Sequence, residues 1–300
     1  MDIYDKLSGV VRGKVLANAP LAALTCFGVG GAADVLFVPS DIDDLKAGLK
    51  AAAGAPITIL GGCSNVLIRD GGIRGLVVLM TGLDGGLGVA ADGIGIKCLA
   101  GARSAAVSEF AADKGISGFE FLCGIPGTIA GAVIGNAGAY GGAMSDVVES
   151  VELVDFAGNE KTLANSELGF GYRKSSIPPN YIIVSVGFRG QRGDPAAIRQ
   201  KMKSNMAQRL EKQPVGFRTC GSLFKNPPGD FAARLMDEAG LRGRRVGDAA
   251  ISEKHANFLL NVGNATAAEM ESLGMLALDE VFLKFGITLE WEIKILGDRA

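Results

Sequence analysis

The segment Gly124-Ile-Pro-Gly-Thr-Ile-Ala-Gly-Ala-Val-Ile-Gly-Asn-Ala-Gly-Ala-Tyr-Gly-Gly142 is the most unusual part of this sequence. Pro126-Gly127 favours a turn, and Thr128 is a residue type that can cap a following helix. The predicted helix carries mostly Gly and Ala, so it packs poorly but offers a flat surface to a large planar ligand. Its amino end offers backbone N–H groups to a phosphate. The alternative, close packing of a helix on a sheet, does not require so many glycines.

A second run of small residues, Leu60-Gly-Gly-Cys-Ser-Asn-Val-Leu67, follows a predicted buried strand over 57–60. Successive backbone N–H groups in such a loop can form a concave nest that suits a diphosphate. The hydroxyl of Ser64 and the amide of Asn65 add polar groups. A tight turn that binds nothing is equally compatible with this motif alone.

A third glycine motif, Gly28-Val-Gly-Gly-Ala-Ala33, matches the G-x-G-x-x-G/A dinucleotide pattern. That pattern should open a helix, and here a strand pattern follows it. The sequence therefore disfavours a Rossmann domain.

The composition bounds the class of protein. The chain has 300 residues, 48% of them hydrophobic, and a net charge of −2. Dispersed charges predict neither nucleic-acid binding nor a basic membrane surface. The five cysteines form no CxxC pair, and with a single His they predict no metal site. The sequence shows neither a secretory signal nor an apolar run long enough to span a bilayer, so we expect a cytoplasmic protein.

Alternating short strands and helices predict an α+β fold with two domains, 1–192 and 193–300, joined at the linker 190–195. The predicted strands are 33–39, 57–60, 75–80, 94–100 and 181–188, with a hairpin of 147–155 and 161–163. The predicted helices are 41–53, 104–114, 195–212, 230–239 with Asp230 as its N-cap, and 266–285 with a capping box of Thr266 and Glu269. A last strand is predicted over 287–296, with Leu289, Trp291 and Ile293 on one face.

Three polar groups are candidates for chemistry. Arg173 lies in a loop before Pro178-Pro179, and Ser222 lies on a turn bounded by Gly and Pro. Glu292 lies on the polar face of the last predicted strand. Each alone is also compatible with an ordinary surface position.

Taken in order, these segments resemble the MurB family of UDP-N-acetylenolpyruvoylglucosamine reductases, in its compact class. The resemblance spans about Pro20 to Gly297. The motifs that carry it, besides the two glycine-rich runs quoted first, are Tyr172-Arg-Lys-Ser175, Gly221-Ser-Leu-Phe-Lys-Asn-Pro227, Lys254-His-Ala-Asn-Phe258 and Glu292-Ile-Lys-Ile-Leu-Gly297.

The resemblance implies a two-lobed FAD-binding domain of the vanillyl-alcohol-oxidase (PCMH) type and a C-terminal α+β substrate-binding domain. It also implies non-covalent FAD and NADPH as reductant. The reaction of the family reduces the enolpyruvyl ether of UDP-N-acetylglucosamine to UDP-N-acetylmuramate, in peptidoglycan precursor synthesis. We expect a monomer with no nucleic-acid or membrane partner.

Roles for individual residues also follow from the resemblance. Arg173 and Glu292 match residues that stabilise the negative charge of the reaction, and Ser222 matches the proton donor. The implied substrate contacts are Lys212, Asn226, Tyr140 and either Lys254 or His255. The implied cofactor contacts are Gly61, Gly62, Cys63, Ser64, Asn65, Val66, Leu67, Gly124, Ile125, Pro126, Gly127, Thr128, Gly131 and Ala132.

Two positions depart from the family pattern. Gly28 stands where a basic residue is usual, and Cys63 replaces the commoner third Gly of the phosphate loop.

Two rival functions also remain: a flavin oxidase of the same cofactor fold, and a nucleotide-binding scaffold without turnover. Some of these oxidases attach FAD covalently through a His, and His255 comes too late in the chain to lie in the cofactor domain. Release of free FAD on denaturation would therefore favour the reductase over such an oxidase.

Overall fold

The computed structural model describes residues 2–300 of the chain. The chain forms two compact units, each assembled from three segments. The first unit comprises Met1–Ala17, Val35–Gly62 and Gly75–Gln208. The second comprises Asn18–Asp34, Cys63–Arg74 and Arg209–Ala300. The bounds of these units differ from the predicted domains 1–192 and 193–300. The assignment of the cofactor to 1–192 and of the substrate to 193–300 stays a prediction.

Eight α-helices are present among residues 2–300: α1 Ile3–Ser8, α2 Ile42–Ala51, α3 Ser104–Asp113, α4 Ile129–Ile134, α5 Met144–Val147, α6 Pro195–Lys212, α7 Ala232–Glu238 and α8 Ala267–Phe285. The strands are β1 Lys14–Pro20, β2 Ala32–Val38, β3 Ile57–Leu60, β4 Val66–Ile68, β5 Ile73–Leu79, β6 Gly88–Val89, β7 Gly95–Leu99, β8 Ile116–Ser117, β9 Gly138–Ala139, β10 Gly142–Ala143, β11 Val148–Asp155, β12 Glu160–Ala164, β13 Tyr181–Arg189, β14 Gln191–Arg192, β15 Arg245–Val246, β16 Ala249–Ile251, β17 Leu259–Asn261 and β18 Lys294–Leu296. Within this described range, no helix is long and apolar enough to cross a membrane.

The first unit contains a five-stranded antiparallel sheet in the order β12-β11-β13-β7-β6. A four-stranded sheet has the order β1-β2-β5-β3, in which β3 and β5 run parallel. Apolar side chains of the sheets and helices form the core of this unit, which includes Phe37, Leu45, Val78, Val107 and Val186. The mixture of helices with largely antiparallel sheets confirms the predicted α+β class.

The second unit has a smaller scaffold. Strands β15, β16 and β17 form an antiparallel sheet, and β4 pairs in parallel with β18, with Val66 opposite Lys294. Helix α8 packs over this scaffold, and the core includes Phe27, Leu67, Phe224, Met270 and Ile293.

The helices with strong end signals are confirmed. α2, α3, α6 and α8 begin and end within two residues of their predicted bounds. In α8, Thr266 Oγ1 accepts from Glu269 N at 3.1 Å, and Glu269 Oε2 accepts from Thr266 N at 3.0 Å, which is the predicted capping box.

The predicted N-cap of α7 is wrong. The helix begins at Ala232, whose N–H donates to Asn226 Oδ1 at 3.0 Å. Asp230 instead accepts from Phe231 N at 2.7 Å and pairs with Arg234. The cap therefore comes from six residues upstream of the helix, across a Pro-Pro turn.

The predicted last strand is also wrong over most of its length, because only Lys294–Leu296 is a strand. The predicted alternation of burial nevertheless holds: Leu289 and Ile293 are buried and Trp291 is half-buried. This segment makes separate hydrogen bonds, Lys225 N to Glu290 O and Glu292 N to Leu223 O, rather than a regular ladder.

Candidate active site

In the first unit, the two glycine-rich loops lie against each other. A Cβ added to Gly62 would lie 2.8 Å from Gly127 Cα, and one added to Gly61 would lie 2.6 Å from Thr128 Oγ1. Both contacts are too short for any side chain other than that of glycine. The predicted cofactor segments around 61–62 and 127–128 therefore form one continuous backbone surface.

Thr128 occupies the N-cap of α4, which confirms the predicted position, although its side chain makes no cap hydrogen bond. The N–H groups of Ile129 and Ala130 are not free either, because they donate to Ala102 O at 2.9 Å and Ala100 O at 3.1 Å. Thr128 Oγ1 is buried and has no hydrogen-bond partner among residues 2–300. A buried hydroxyl without a partner is costly, so this atom is positioned to bond a ligand.

Tyr140 lies beside the same segment. Its φ is 53°, and a Cβ on Gly124 would come within 2.8 Å of the tyrosine ring. Tyr140 also lines a cavity of about 450 Å³ together with Phe121, Lys201 and Asn205. The structure thus places the predicted substrate residue Tyr140 next to the predicted cofactor residue Gly124.

Arg173 lies on a tight turn of the first unit. Gly171 N donates to Lys174 O at 3.0 Å, and Lys174 N donates to Gly171 O at 3.2 Å. Arg173 has a φ of 55° and its Cζ lies 5.3 Å from the centroid of the Tyr172 ring. The half-buried residue Arg173 therefore lies on a turn that the pairing of Gly171 with Lys174 closes.

Left-handed backbone marks several predicted site residues. Among residues 2–300, the non-glycine residues with positive φ are Asn18, Cys63, Asn136, Tyr140 and Arg173. Cys63, Tyr140 and Arg173 are predicted contacts or catalytic groups. Such a conformation costs about 1–3 kcal/mol and persists where the surroundings impose it, most often at functional sites.

In the second unit, Ser222 lies on a segment that a buried amide holds in place. Ser222 forms an isolated antiparallel bridge with Phe258, and Leu223 N donates to Asn257 O at 2.8 Å. The Asn257 side chain accepts from Phe224 N at 2.9 Å and donates to Phe224 O at 2.8 Å. Asn257 is only 3% exposed. Asn257 belongs to the motif Lys254-His-Ala-Asn-Phe258, but the sequence alone predicts no role for it.

Glu292 lies beside the same segment. Glu292 N donates to Leu223 O at 2.9 Å, which places Glu292 next to Ser222 along the backbone. Asn65 Nδ2 donates to Glu292 O at 3.1 Å, and Lys294 N donates to Asn65 O at 2.9 Å. The structure therefore brings Ser222, Glu292 and Asn65 together. The Asn65 amide N–H is used to hold the Glu292 segment, and a cofactor contact of Asn65 stays a prediction.

Three predicted substrate contacts also lie in the second unit. Lys212 is the exposed last residue of α6, and Lys254 Nζ donates to Leu210 O at 2.6 Å. Asn226 Oδ1 accepts from Ala232 N, so this side chain is held at the start of α7.

His255 is the other candidate at its position in the motif. Its Nδ1 accepts from Asn257 N at 3.3 Å, and its ring packs edge-on against Phe258 at 4.8 Å. Burial, with a smaller contribution from Arg242, lowers the pKa of His255. The imidazole is therefore neutral at pH 7 and offers a hydrogen bond rather than a charge.

Three thiols surround the start of the second glycine-rich loop. Cys63 is buried with a φ of 49°, its carbonyl accepts from Cys26 N at 3.3 Å, and Cys220 Sγ lies 3.4 Å from Val66 O. Burial raises the pKa of Cys63 to about 11, whereas a hydrogen bond with Cys220 lowers the pKa of Cys26 to about 7. The loop tolerates Cys63 in place of glycine, at the cost of a left-handed residue.

Comparisons with known proteins agree with the predicted family. The family described as "FAD binding domain" matches residues 33–164, and "UDP-N-acetylenolpyruvoylglucosamine reductase, C-terminal domain" matches residues 213–296. The reductase of Phenylobacterium zucineum is 45% identical over 98% of this chain and 98% of its own length. That of Gluconobacter oxydans is 44% identical over 97% of this chain and 94% of its own.

Solved structures give the same result. The reductase of Thermus caldophilus aligns with a TM-score of 0.79 and 35% identity, over 95% of this chain and 99% of its own. A BBE-like 1 variant of Physcomitrella patens has a TM-score of 0.50 at 16% identity, over 93% of this chain and 60% of its own, and shares only the fold. These matches confirm the predicted FAD-binding domain and C-terminal domain. The chain belongs to the family of UDP-N-acetylenolpyruvoylglucosamine reductases, FAD-dependent oxidoreductases of peptidoglycan precursor synthesis.

Proposed function

We propose that this chain reduces the enolpyruvyl ether of UDP-N-acetylglucosamine to UDP-N-acetylmuramate, with NADPH as reductant and FAD bound non-covalently. The observation that supports the proposal is the backbone bond from Glu292 N to Leu223 O, which brings the segment of the proposed charge-stabilising residue Glu292 against that of the proposed proton donor Ser222. We propose that the enzyme works as a cytoplasmic monomer.

Two observations in the first unit support binding of the cofactor. The backbones of Gly62 and Gly127 approach closely enough that no side chain separates them, and Thr128 Oγ1 is a buried hydroxyl that needs a bonding partner. When bound, FAD would supply the hydride chemistry for reduction of the enolpyruvyl double bond, with NADPH as the reductant. The residues proposed to hold it are Gly61, Gly62, Cys63, Ser64, Asn65, Val66, Leu67, Gly124, Ile125, Pro126, Gly127, Thr128, Gly131 and Ala132.

Arg173 is proposed to bind the substrate carboxylate. Negative charge develops on this carboxylate and the adjoining carbon during reduction, and a guanidinium pairs with a carboxylate through two parallel hydrogen bonds. The tight turn at 171–174 fixes where the guanidinium starts, so little reorganisation is needed when the charge appears.

Ser222 is proposed to donate the proton that completes the product. Its hydroxyl proton passes to the charged carbon, and Glu292 is proposed to stabilise the neighbouring anion. Because Asn257 and Asn65 fix the two backbones, both side chains start from defined positions.

Lys212 and Asn226 are proposed to contact the diphosphate or the sugar of the substrate. Tyr140, and either Lys254 or His255, are proposed as further substrate contacts. Lys254 supplies a positive charge suited to the diphosphate, whereas the neutral His255 supplies a hydrogen bond. Salt dependence of the Michaelis constant in Lys254 and His255 variants separates the two.

The proposal is tested by following NADPH. We expect consumption only when the enolpyruvyl nucleotide is added, and release of free FAD on denaturation. Oxygen-dependent consumption without the nucleotide indicates an oxidase, and binding without consumption indicates a scaffold.

The role of Ser222 is tested by separating the two half-reactions in stopped-flow absorbance. Ser222→Ala should lower product formation by ~10²–10⁴-fold, the usual loss of a general acid, while flavin reduction by NADPH stays normal. Ser204→Ala, at an exposed position of α6, is the matched control. Survival of both half-reactions in Ser222→Ala excludes the proposed role.

A further inference from the structure

We propose that Asn136 is a positioning residue for Arg173, holding the turn that carries the guanidinium. This inference rests on the proposed catalytic role of Arg173. Asn136 belongs to the glycine-rich segment Gly124–Gly142. Neither the family resemblance nor the proposed cofactor contacts give it a role.

The contact is made to the carbonyl that closes the turn. Asn136 Nδ2 donates to Gly171 O at 3.1 Å, and the same oxygen accepts from Lys174 N at 3.2 Å. A carbonyl oxygen has two lone pairs, and here both bonds act on the peptide that precedes Tyr172 and Arg173. Asn136 therefore fixes the base of the turn from outside it.

The turn needs such support because Arg173 has left-handed backbone. With a φ of 55°, Arg173 occupies a conformation that glycine adopts readily and arginine does not. A strained residue relaxes unless several bonds determine its position. The hydrogen bond from Asn136 Nδ2 to Gly171 O is one of these bonds. A second is the bond that the Ser175 hydroxyl donates to Ile134 O at 3.0 Å.

Asn136 is itself fixed on both sides. It follows α4 with a φ of 39°, its N–H donates to Val133 O at 3.0 Å, and its Oδ1 accepts from Ser145 N at 2.9 Å. Its amide is thus oriented with the oxygen toward α5 and the nitrogen toward the turn. Because α4 carries proposed cofactor contacts at Gly131 and Ala132, one residue connects the proposed cofactor surface with the proposed substrate cation.

A purely structural role is the competing explanation. Asn is a common left-handed residue just after a helix, where it ends the helix whatever lies beyond. That role requires only the backbone conformation, which glycine supplies equally well. The positioning role requires the side-chain N–H, so substitutions that keep one feature and remove the other separate the explanations.

The first variant is Asn136→Gly, which keeps left-handed backbone and removes the amide. We expect the rate of reoxidation of reduced flavin by the enolpyruvyl nucleotide to fall by ~10- to 100-fold, the scale of a small misplacement of a catalytic group. Flavin reduction by NADPH should not change. Asn18→Gly is the matched control, because Asn18 is an exposed Asn that is also left-handed, with a φ of 46°. Equal rates in Asn136→Gly and the wild type overturn the inference.

A double-mutant cycle shows whether Asn136 acts through Arg173. If it does, Asn136→Gly should cause no further loss in an Arg173→Ala background. A loss of the same size in both backgrounds overturns the inference and leaves the proposed function intact. If Arg173→Ala alone does not slow reoxidation, the proposed role of Arg173 is wrong, which is a distinct result.

Hydrogen exchange gives a readout that does not depend on turnover. The amides of Gly171 and Lys174 are bonded within the turn, so peptides covering 168–176 should exchange faster in Asn136→Gly than in Asn18→Gly. Asn136→Asp keeps the acceptor for Ser145 N and loses the donor to Gly171 O, and it should give the same increase. This second variant decides the question if Asn136→Gly does not fold, and unchanged exchange in it overturns the inference.

Discussion

The Arg173 turn of the first unit and the Ser222–Glu292 region of the second present their proposed catalytic groups in opposite ways. Arg173 has left-handed backbone on a partly exposed turn, tied to its surroundings by the Asn136 amide and the Ser175 hydroxyl. Ser222 and Glu292 have ordinary backbone. The side-chain amide of the buried Asn257 bonds both the N–H and the C=O of Phe224, two residues after Ser222.

The contrast concerns where each support is placed relative to water. A bond at a part-buried site is replaced by a bond to water when it is lost, so its loss costs little folding free energy. A buried amide that is lost leaves its partners unsatisfied, and the fold itself suffers. We therefore expect variants around Arg173 to affect activity more than stability, and variants around Ser222 to affect both.

The sharpest test of this contrast is Asn257→Ala. The Phe224 N–H and C=O would both lose their buried partner, and each unsatisfied group costs ~1–3 kcal/mol. We expect the free energy of unfolding, from urea titration, to fall by ~2–4 kcal/mol. Asn264→Ala, at an exposed Asn of the same unit, is the control. If Asn257→Ala lowers the free energy of unfolding no more than Asn264→Ala does, the buried amide does not support the fold in the expected way.

The second test concerns the strand that follows Glu292. Arg69 donates to Glu271 at 2.8 Å and to Gly297 O at 3.2 Å, so the ion pair holds the end of β18. Hydrogen bonds from Arg69, and then Arg299, lower the pKa of Glu271 from 4.5 to about 2. Because the folded-state pKa is depressed, this stabilisation is complete above pH 4.5 and is lost as the pH falls toward 2.

Glu271→Gln removes that pH-dependent contribution. We expect the variant to be less stable than the wild type at pH 7 by ~1–3 kcal/mol, and the difference to shrink between pH 4.5 and pH 2. Urea titrations at several pH values measure it. A difference that stays constant over this range shows that the carboxylate charge is not what supports the region.

Asn136→Gly is the counterpart in the first unit. Because Asn136 is only half-buried and glycine tolerates a φ of 39°, we expect its free energy of unfolding to fall by only ~1 kcal/mol. A loss as large as that of Asn257→Ala would show that both supports serve the fold, and would remove the distinction between the two regions.

Cys63→Gly should have the smallest effect. Glycine relieves a left-handed residue with a φ of 49° but gives up a buried thiol and gains unfolded-chain entropy. These terms oppose one another, so the free energy of unfolding should change by less than ~1 kcal/mol. A stabilisation well above this limit would show that the second unit also holds a strongly strained residue.

Sequence patterns predicted the elements whose signals are local. The capping box of Thr266 and the apolar spacing of α2 lie within the elements they define, so both were found. The bonds of Asn257 to Phe224 join residues that are 33 positions apart, so their approach depends on the tertiary fold. The Asn226 cap is local, but it crosses a Pro-Pro turn, and a search for a cap directly before the helix misses it. Alternation over 289–293 reported burial correctly but not the backbone, because a single bridge and isolated bonds bury side chains as well as a ladder does.

The parallel pairing of β4 with β18 has a consequence for biosynthesis. Val66 and Lys294 are partners, so the ribosome must synthesise the chain beyond residue 294 before this ladder can close. Until then the apolar strand β4, Val66–Ile68, has no β18 to pair with. Pairing between strands so far apart in the sequence is slow. Nascent chains stalled before residue 294 should therefore be captured by chaperones that bind short apolar stretches. For the same reason, residues 193–300 expressed alone lack the strand on which their carboxyl end assembles.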